Sequence, residues 1–235
     1  KLDLGFWAIP LSVLWIVGII NAINLIDGLD GLASGITLVI LITLSWLAHE
    51  MGKIELMLLM VVLIGSVVSF LSFNRPPASI FMGDSGSYFL GYLVAVLSIW
   101  VCEKSSGTIS LYPLLILAVP IIDTTFSIFR RFLKGIPFYS ADKDHLHHRL
   151  LSKGLTPTQA VFILSGISII YGSLVLSAHY FPEFQTYFYL CGIGLIWVLL
   201  YFLEYDVIRR PVSSIRGQSD LRQRRDLMIT LAEQM

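Results

Sequence analysis

The sequence IELMLLMVVLIGSVVSFLSF, residues 54–73, contains a single charged side chain, Glu55, and is otherwise apolar or small. A helix that crosses a bilayer needs about 20 mostly apolar residues, and this stretch has that length. Other stretches of the chain have a similar composition. The seven predicted membrane spans are residues 6–26, 32–48, 54–73, 86–102, 109–129, 158–181 and 186–203.

The overall composition agrees with a membrane protein. Hydrophobic residues make up 56% of the 235 residues and charged residues 14%, whereas soluble domains are about 45–50% apolar. Too little polar sequence remains to coat a soluble globule, so we predict an all-α, polytopic integral membrane protein with about seven transmembrane helices. The absence of a basic face with interleaved aromatic residues argues against a nucleic-acid partner. Cys102 and Cys191 lie in apolar runs, which indicates buried thiols rather than a disulfide or a metal set.

The distribution of positive charge predicts the orientation of the spans. Thirteen of the 16 Lys and Arg residues fall in one set of connections, residues 27–31, 74–85 and 130–157, and in the C-terminal tail. By the positive-inside rule this set is cytoplasmic, so the chain starts outside and ends inside. Residues 1–206 then form the transmembrane domain. Residues 207–235 form a basic cytoplasmic tail, either a helix on the anionic inner leaflet or, as we favour, a solvated anchor.

Amide and carboxylate side chains recur at every third residue at the end of the first span. The sequence is NAINLIDGLDGL, residues 21–32, and the recurring side chains are Asn21, Asn24, Asp27 and Asp30. On a helix each step of three advances 300°, so the four would drift slowly around one side. Helix capping explains one or two of them but not four. Polar groups at membrane depth are costly, which makes this cluster a candidate for function.

A second cluster precedes the fourth span. Its sequence is NRPPASIFMGDSG, residues 74–86, and it holds Asp84 between Gly83 and Gly86. Asp84 is either a helix cap or a metal ligand, because Mg²⁺ takes one or two carboxylates together with substrate phosphates. Phe81 offers an aromatic face at the rim.

A third cluster, DKDHLHHR, residues 142–149, contains three histidines within four residues. The spacing does not match a zinc-binding helix or finger, so we interpret it as a basic, donor-rich cradle for phosphate oxygens. A metal site and a solvated loop remain the alternatives. Asp123, in the fifth span, either pairs with Arg130 or Arg131 or faces the shared site.

Three motifs, in this order, resemble the polyprenyl-phosphate N-acetylhexosamine-1-phosphate transferases of glycosyltransferase family 4. They are Asn-x-x-Asn-x-x-Asp-Gly-x-Asp-Gly-Leu, Phe-Met-Gly-Asp-x-Gly-Ser and His-Leu-His-His-Arg. The bacterial undecaprenyl-phosphate N-acetylglucosamine-1-phosphate branch is the most similar. The resemblance implies transfer of a sugar 1-phosphate from a UDP-N-acetylhexosamine to undecaprenyl phosphate with release of UMP. It also implies a multi-pass protein of the bacterial inner membrane whose active site is cytoplasmic and starts O-antigen (lipopolysaccharide), enterobacterial common antigen or wall teichoic acid synthesis.

The resemblance also implies roles for individual residues. Asp84 and Asn24 would hold Mg²⁺, or Mn²⁺ in its place, and Asp27, Asp30 and Asp84 would form the catalytic pocket. Phe81 would stack on uracil with Asn74 nearby. The expected substrate-binding residues are Asn21, Asn74, Phe81, His145, His147, His148 and Arg149. The oligomeric state is left open, with a homodimer as one arrangement.

One departure from the family pattern affects the expected activity. Members carry an adjacent Asp-Asp pair on an earlier cytoplasmic loop, whereas this chain has no such pair and begins without Met. We therefore expect a fragment or a truncated product with weak or no activity alone. The competing interpretations are a phospho-MurNAc-pentapeptide transferase, a polytopic transporter with broken helices and a non-catalytic scaffold.

Overall fold

The structure is a computed structural model and describes residues 5–103, 110–133 and 145–209. These residues are helical and include no β-strand. Two short 3-10 helices, Gly5–Trp7 and Pro182–Phe184, precede the first and the last α-helix. The α-helices of the described residues are α1 (Ala8–Ile26), α2 (Leu32–Glu50), α3 (Ile54–Asn74), α4 (Gly83–Cys102), α5 (Tyr112–Ile116), α6 (Ala118–Leu133), α7 (Leu146–Ser152), α8 (Pro157–Tyr180) and α9 (Gln185–Arg209).

Several of these helices are long and apolar enough to cross a membrane, and they correspond to predicted spans. Within the described residues there are six: Gly5–Ile26, Leu32–Glu50, Ile54–Asn74, Gly83–Cys102, Pro157–Tyr180 and Pro182–Phe202. The predicted all-α, polytopic membrane protein is therefore confirmed.

The predicted fifth span, residues 109–129, differs in that it is not one continuous helix. α5 ends at Ile116, and α6 begins at Ala118. Pro120 explains the break, because proline has no N–H to donate to the carbonyl of Ile116 and its ring collides with that carbonyl. Hydrogen bonding resumes at once, since the N–H of Ile121 donates to Leu117 O over 3.1 Å.

α2 is the central helix of the bundle. In the most apolar part of α2, 67% of the residues are buried inside the protein, whereas the corresponding share for α3 is 11%. α2 contacts α3, α4 and α8, while α1 packs along α4. Gly91 permits the approach of α4 to α1, because a Cβ at this position would lie 2.8 Å from the Cα of Ile20. Small residues at such contacts are how helices in membranes approach closely.

Residues 1–194 form one compact unit, and residues 195–235 are assigned to a second. Of the second unit, residues 195–209 are described and are helical. The predicted basic tail is outside the described residues from 210 onward, as are residues 134–144, which include the start of the third cluster.

The connections that carry the three motifs meet at one end of the bundle. The turn after α1, the loop between α3 and α4, and α7 are joined there by hydrogen bonds and packing described below. At the opposite end, Lys53 caps the last turn of α4. Its Nζ donates to the carbonyl oxygens of Trp100 at 2.6 Å and Glu103 at 2.7 Å. A cation placed on the last carbonyls of a helix satisfies them and opposes the helix dipole.

Candidate active site at one end of the bundle

The first cluster is divided between the end of α1 and the turn after it, in agreement with the predicted span 6–26 and connection 27–31. α1 ends at Ile26, so Asp27 is its C-cap and Asp30 lies in the turn before α2. Gly31 has a φ of 78°, in the left-handed region that glycine favours, and is the N-cap of α2. Asn21 lies earlier on α1, is exposed, and donates from Nδ2 to the carbonyl oxygen of Val17 over 2.8 Å.

Asn24 links the first cluster to the second. Its Nδ2 donates to Asp84 Oδ1 at 3.1 Å and to Ser87 Oγ at 2.9 Å. The Ser87 hydroxyl in turn donates to the carbonyl oxygen of Asp84 over 3.1 Å. Asp84 is exposed in the first turn of α4, where the positive end of the helix dipole favours a carboxylate. The structure thus brings together the two residues that were expected to hold a metal ion.

Three carboxylates are crowded at this point. The pKa of Asp27 is raised from 3.8 to about 6, first by burial and then by the neighbouring charges of Asp84 and Asp30. Asp30 also has a structural contact, because its Oδ2 accepts a hydrogen bond from the Ala78 N–H over 2.9 Å. The site therefore concentrates negative charge that a proton or a cation would relieve.

Asn74 is buried and holds the two loops together. It is 3% exposed. Its Oδ1 accepts from the Gly31 N–H at 3.0 Å and from Ser34 Oγ at 2.9 Å, and its Nδ2 donates to the Ile80 carbonyl oxygen at 3.0 Å. These bonds fix the backbone immediately before Phe81, whose ring is 73% exposed at the rim. The structure therefore gives Asn74 a positioning role beside Phe81.

The histidine segment is attached to α6 through Asp123. This carboxylate is 1% exposed. Its Oδ1 accepts from the Leu146 N–H over 2.6 Å, and its Oδ2 lies 2.9 Å from His145 Nδ1. Sequence analysis left the role of Asp123 undecided, and the contacts found here are with the start of α7.

His147 joins the histidine segment to the first cluster. Its side chain packs against Gly28 so closely that a Cβ at Gly28 would overlap the imidazole ring. His147 is 1% exposed, and neither ring nitrogen has a hydrogen-bond partner among the described residues. A glycine is therefore required at position 28 for this contact.

His147 differs from an exposed histidine in its charge state. Burial, together with the neighbouring His148, lowers the pKa of His147 to about 4. The ring is therefore neutral at physiological pH. The rings of His145 and His147 are parallel within 3° at 5.9 Å, and His148 lies 4.2 Å from His147. His148 is exposed, and Arg149 is 6% exposed.

The donor set of the carboxylate cluster fits a hard divalent cation in part. Within the described ranges, no group of three or more His, Cys, Asp or Glu residues is placed to hold a metal ion. Asn24 meets Asp84 through its amide nitrogen, and Asp84 and Asp30 are the neighbouring charges of Asp27. Carboxylates are ligands that Mg²⁺ takes one or two at a time, together with substrate phosphates and water.

Three contacts of this site were not predicted from the sequence. Ser87 belongs to the second motif, but its hydrogen bond with Asn24 was not anticipated. No partner was predicted for Gly28, and the group that approaches it is His147. Asp123 was noticed because a carboxylate inside an apolar segment is unusual, but its partner is 22 residues away along the chain.

The chain is similar to known proteins over much of its length. Residues 1–102 match the family model of glycosyl transferase family 4. A probable undecaprenyl-phosphate N-acetylglucosaminyl 1-phosphate transferase from Bacillus subtilis (strain 168) is 48% identical over 172 residues, which cover 73% of this chain and 48% of that protein.

Two further relatives come from distant bacteria. An undecaprenyl-phosphate alpha-N-acetylglucosaminyl 1-phosphate transferase from Thermotoga maritima is 33% identical, with 64% of this chain and 47% of the relative covered. A decaprenyl-phosphate N-acetylglucosaminephosphotransferase from Mycobacterium leprae is 37% identical, with 44% and 29% covered. The chain thus spans about half the length of these curated relatives, or less. From its motifs, its helical bundle and these matches, the chain belongs to glycosyl transferase family 4.

Proposed function

We propose that this chain carries active-site residues of a phosphoglycosyl transferase. The reaction is transfer of N-acetylglucosamine 1-phosphate, or a related N-acetylhexosamine 1-phosphate, from a UDP-sugar to undecaprenyl phosphate, with release of UMP. In this proposal the reaction takes place at the cytoplasmic face of the bacterial inner membrane. It is the first membrane step of cell-envelope polysaccharide synthesis. The names of the relatives support the sugar phosphate and the polyprenyl acceptor.

The observation that carries the proposal is the contact of His147 with Gly28. Gly28 follows Asp27 in the chain, so this contact supports a site in which the histidine segment adjoins the carboxylate cluster of Asp27, Asp30 and Asp84. A site of this composition suits a substrate that is both phosphorylated and metal-bound, because the two sets of groups recognise different parts of one pyrophosphate.

Each group of residues has a distinct task in this proposal. Asp84 and Asn24 would hold Mg²⁺, and the ion would supply positive charge to offset that of the phosphates. Phe81 offers its exposed ring to the uracil base, and Asn74 fixes the backbone that presents it. The exposed His148 donates hydrogen bonds to phosphate oxygens, while His147 stays packed against Gly28.

The chemistry does not require a strong general base. The second pKa of a phosphate monoester is about 6, so the lipid acceptor is already largely a dianion at neutral pH. An oxygen of this phosphate attacks the β-phosphorus of the UDP-sugar in line, and the bond from that phosphorus to the UMP oxygen breaks. The work left to the chain is to hold two anions together in the correct geometry.

The proposal is tested by donor binding and by transfer, both measured with the purified chain in detergent or nanodiscs. We expect tritiated UDP-N-acetylglucosamine to bind in a Mg²⁺-dependent way, and Asp84→Asn to weaken that binding strongly. Ser85→Ala, at the exposed neighbouring position, is the matched control. Radiolabel that enters the lipid extract from this donor supports the transfer step.

Other outcomes would contradict the proposal. Preference for UDP-MurNAc-pentapeptide would indicate the peptidoglycan branch of the family. Transport of a solute by proteoliposomes without any labelled lipid would indicate a transporter. Unchanged donor binding in Asp84→Asn would show that this carboxylate takes no part in binding the donor.

A further inference from the structure

Asp123 uses both of its carboxylate oxygens on the start of the histidine segment. Oδ1 accepts from the Leu146 N–H at 2.6 Å, and Oδ2 meets His145 Nδ1 at 2.9 Å. The side chain is 1% exposed, so both contacts are shielded from water. Hydrogen bonds to a buried carboxylate are stronger than those between neutral groups, and this pair fixes the segment in direction as well as in position.

α7 lacks a cap of its own, which makes the contact with Asp123 more important. The helix has seven residues, and its N-cap, His145, provides no side-chain hydrogen bond to it. The first N–H groups of a helix have no partner within the helix. Asp123, from α6, supplies the acceptor that a capping Ser or Asp would otherwise provide.

The same carboxylate sets the orientation of His145. An ionised carboxylate only accepts hydrogen bonds, so it selects the form of His145 in which Nδ1 carries the proton. The His145 ring lies parallel to that of His147 within 3°, and His147 is pressed against Gly28. His145 is therefore the ring neighbour of the histidine that packs against the turn after α1.

We propose that Asp123 is a positioning residue, which holds His145 and the start of α7 so that His147 lies against Gly28 and His148 reaches the open side of the site. The positions that Asp123 gives to His145 and to the start of α7 follow from its own contacts. An effect of Asp123 on the reaction rests on the proposed function.

Histidine labelling tests the geometric part without any need for activity. Diethyl pyrocarbonate modifies accessible imidazoles, and peptide mass spectrometry reads each position. In the native chain we expect rapid modification of His148 and slow modification of His145 and His147. Asp123→Asn should raise modification of these two by about tenfold to a hundredfold, the equivalent of a lost hydrogen bond to a charged group.

Two controls separate positioning from general unfolding. Thr124→Val changes the next residue of α6, whose Oγ1 has no hydrogen-bond partner among the described residues, and should leave the pattern unchanged. His49, near the far end of α2, should be modified equally in every variant. His145→Gln serves as a second variant, and it too should expose His147.

A kinetic readout distinguishes positioning from a merely structural role. If the proposed function holds, Asp123→Asn should raise KM for UDP-N-acetylglucosamine, and the double variant Asp123→Asn with His145→Gln should be no worse than the more impaired single variant. Independent, additive losses would overturn the link through His145. Unchanged His147 labelling in Asp123→Asn, or equal labelling gains at His49, would overturn the positioning proposal whatever the activity.

Discussion

Gly28 lies at the tightest contact between the first and third motifs. Because a Cβ there would overlap the His147 ring, Gly28→Ala must displace the histidine or the turn. Overpacking of this kind typically lowers protein stability by about 1–3 kcal/mol, and because the histidine or the turn is displaced we also expect weaker donor binding.

The matched control for this change is Gly18→Ala, on the preceding helix α1, where no atom lies within 4 Å of the added Cβ. This variant should bind the donor normally. Equal behaviour of the two alanine variants would show that the contact between Gly28 and His147 has no part in binding.

Asp27 gives the site a pH dependence whose sign can be derived. The pKa is about 6 in the folded chain against 3.8 for the free side chain, so the folded state binds the proton more tightly than the unfolded state. The contribution of Asp27 to stability is therefore favourable at low pH and is lost as pH rises through the folded pKa. At neutral pH the ionised carboxylate destabilises the metal-free protein.

Asp27→Asn should consequently raise the thermal unfolding temperature of the metal-free chain at about pH 7.5 and give no such gain near pH 4, where the native carboxyl is already protonated. Unfolding followed by intrinsic fluorescence in the presence of a chelator measures this difference. Glu183→Gln, exposed at the opposite end, should change the unfolding temperature little at either pH. A gain for Asp27→Asn that is the same at both pH values would contradict the raised pKa.

At the level of single elements, α8 depends on a capping box. The Thr156 N–H donates to Gln159 Oε1 at 2.9 Å, and the Gln159 N–H donates to Thr156 Oγ1 at 3.3 Å. Thr156→Ala removes the side-chain acceptor and should lower stability by about 1 kcal/mol.

Chemical or thermal unfolding of the purified chain measures this loss. Thr158→Ala, exposed in the same first turn, is the control and should cost much less. A loss of stability confined to Thr156→Ala would show that the cap stabilises α8. α8 packs on α7, the helix of the histidine segment. Equal losses in both variants would show that the cap makes no special contribution.

The break between α5 and α6 shows what sequence could and could not anticipate about an element. Pro120 was visible, but membrane helices tolerate proline, so its presence alone did not decide between a kink and a break. The consequence is structural, because α6 begins at Ala118 and carries Asp123 to the start of α7.

For the whole molecule, the distribution of Lys and Arg predicts that the motif-bearing end faces the cytoplasm. Single cysteines introduced into a chain with Cys102 and Cys191 changed to Ala test this orientation. Glu183→Cys should react with a membrane-impermeant maleimide added to intact cells or spheroplasts. Thr158→Cys should react only after the membrane is opened. The reverse pattern would invert the orientation and place the site outside.

The sequence alone determined the fold class, six of the seven predicted spans and the three motifs that we propose carry the chemistry. These properties follow from the length of apolar segments and from local composition. Within the motifs, the sequence also identified the carboxylates, amides and histidines as candidates for function.

Only the tertiary structure decided which of these groups meet. Asn24 donates to Asp84 across 60 positions of the chain, His147 packs on Gly28, and Asp123 holds the start of α7. Spacing along a helix describes neighbours within about two turns, whereas these contacts depend on how separate helices pack. For the same reason the burial that raises the pKa of Asp27 and lowers that of His147 was not predictable from sequence.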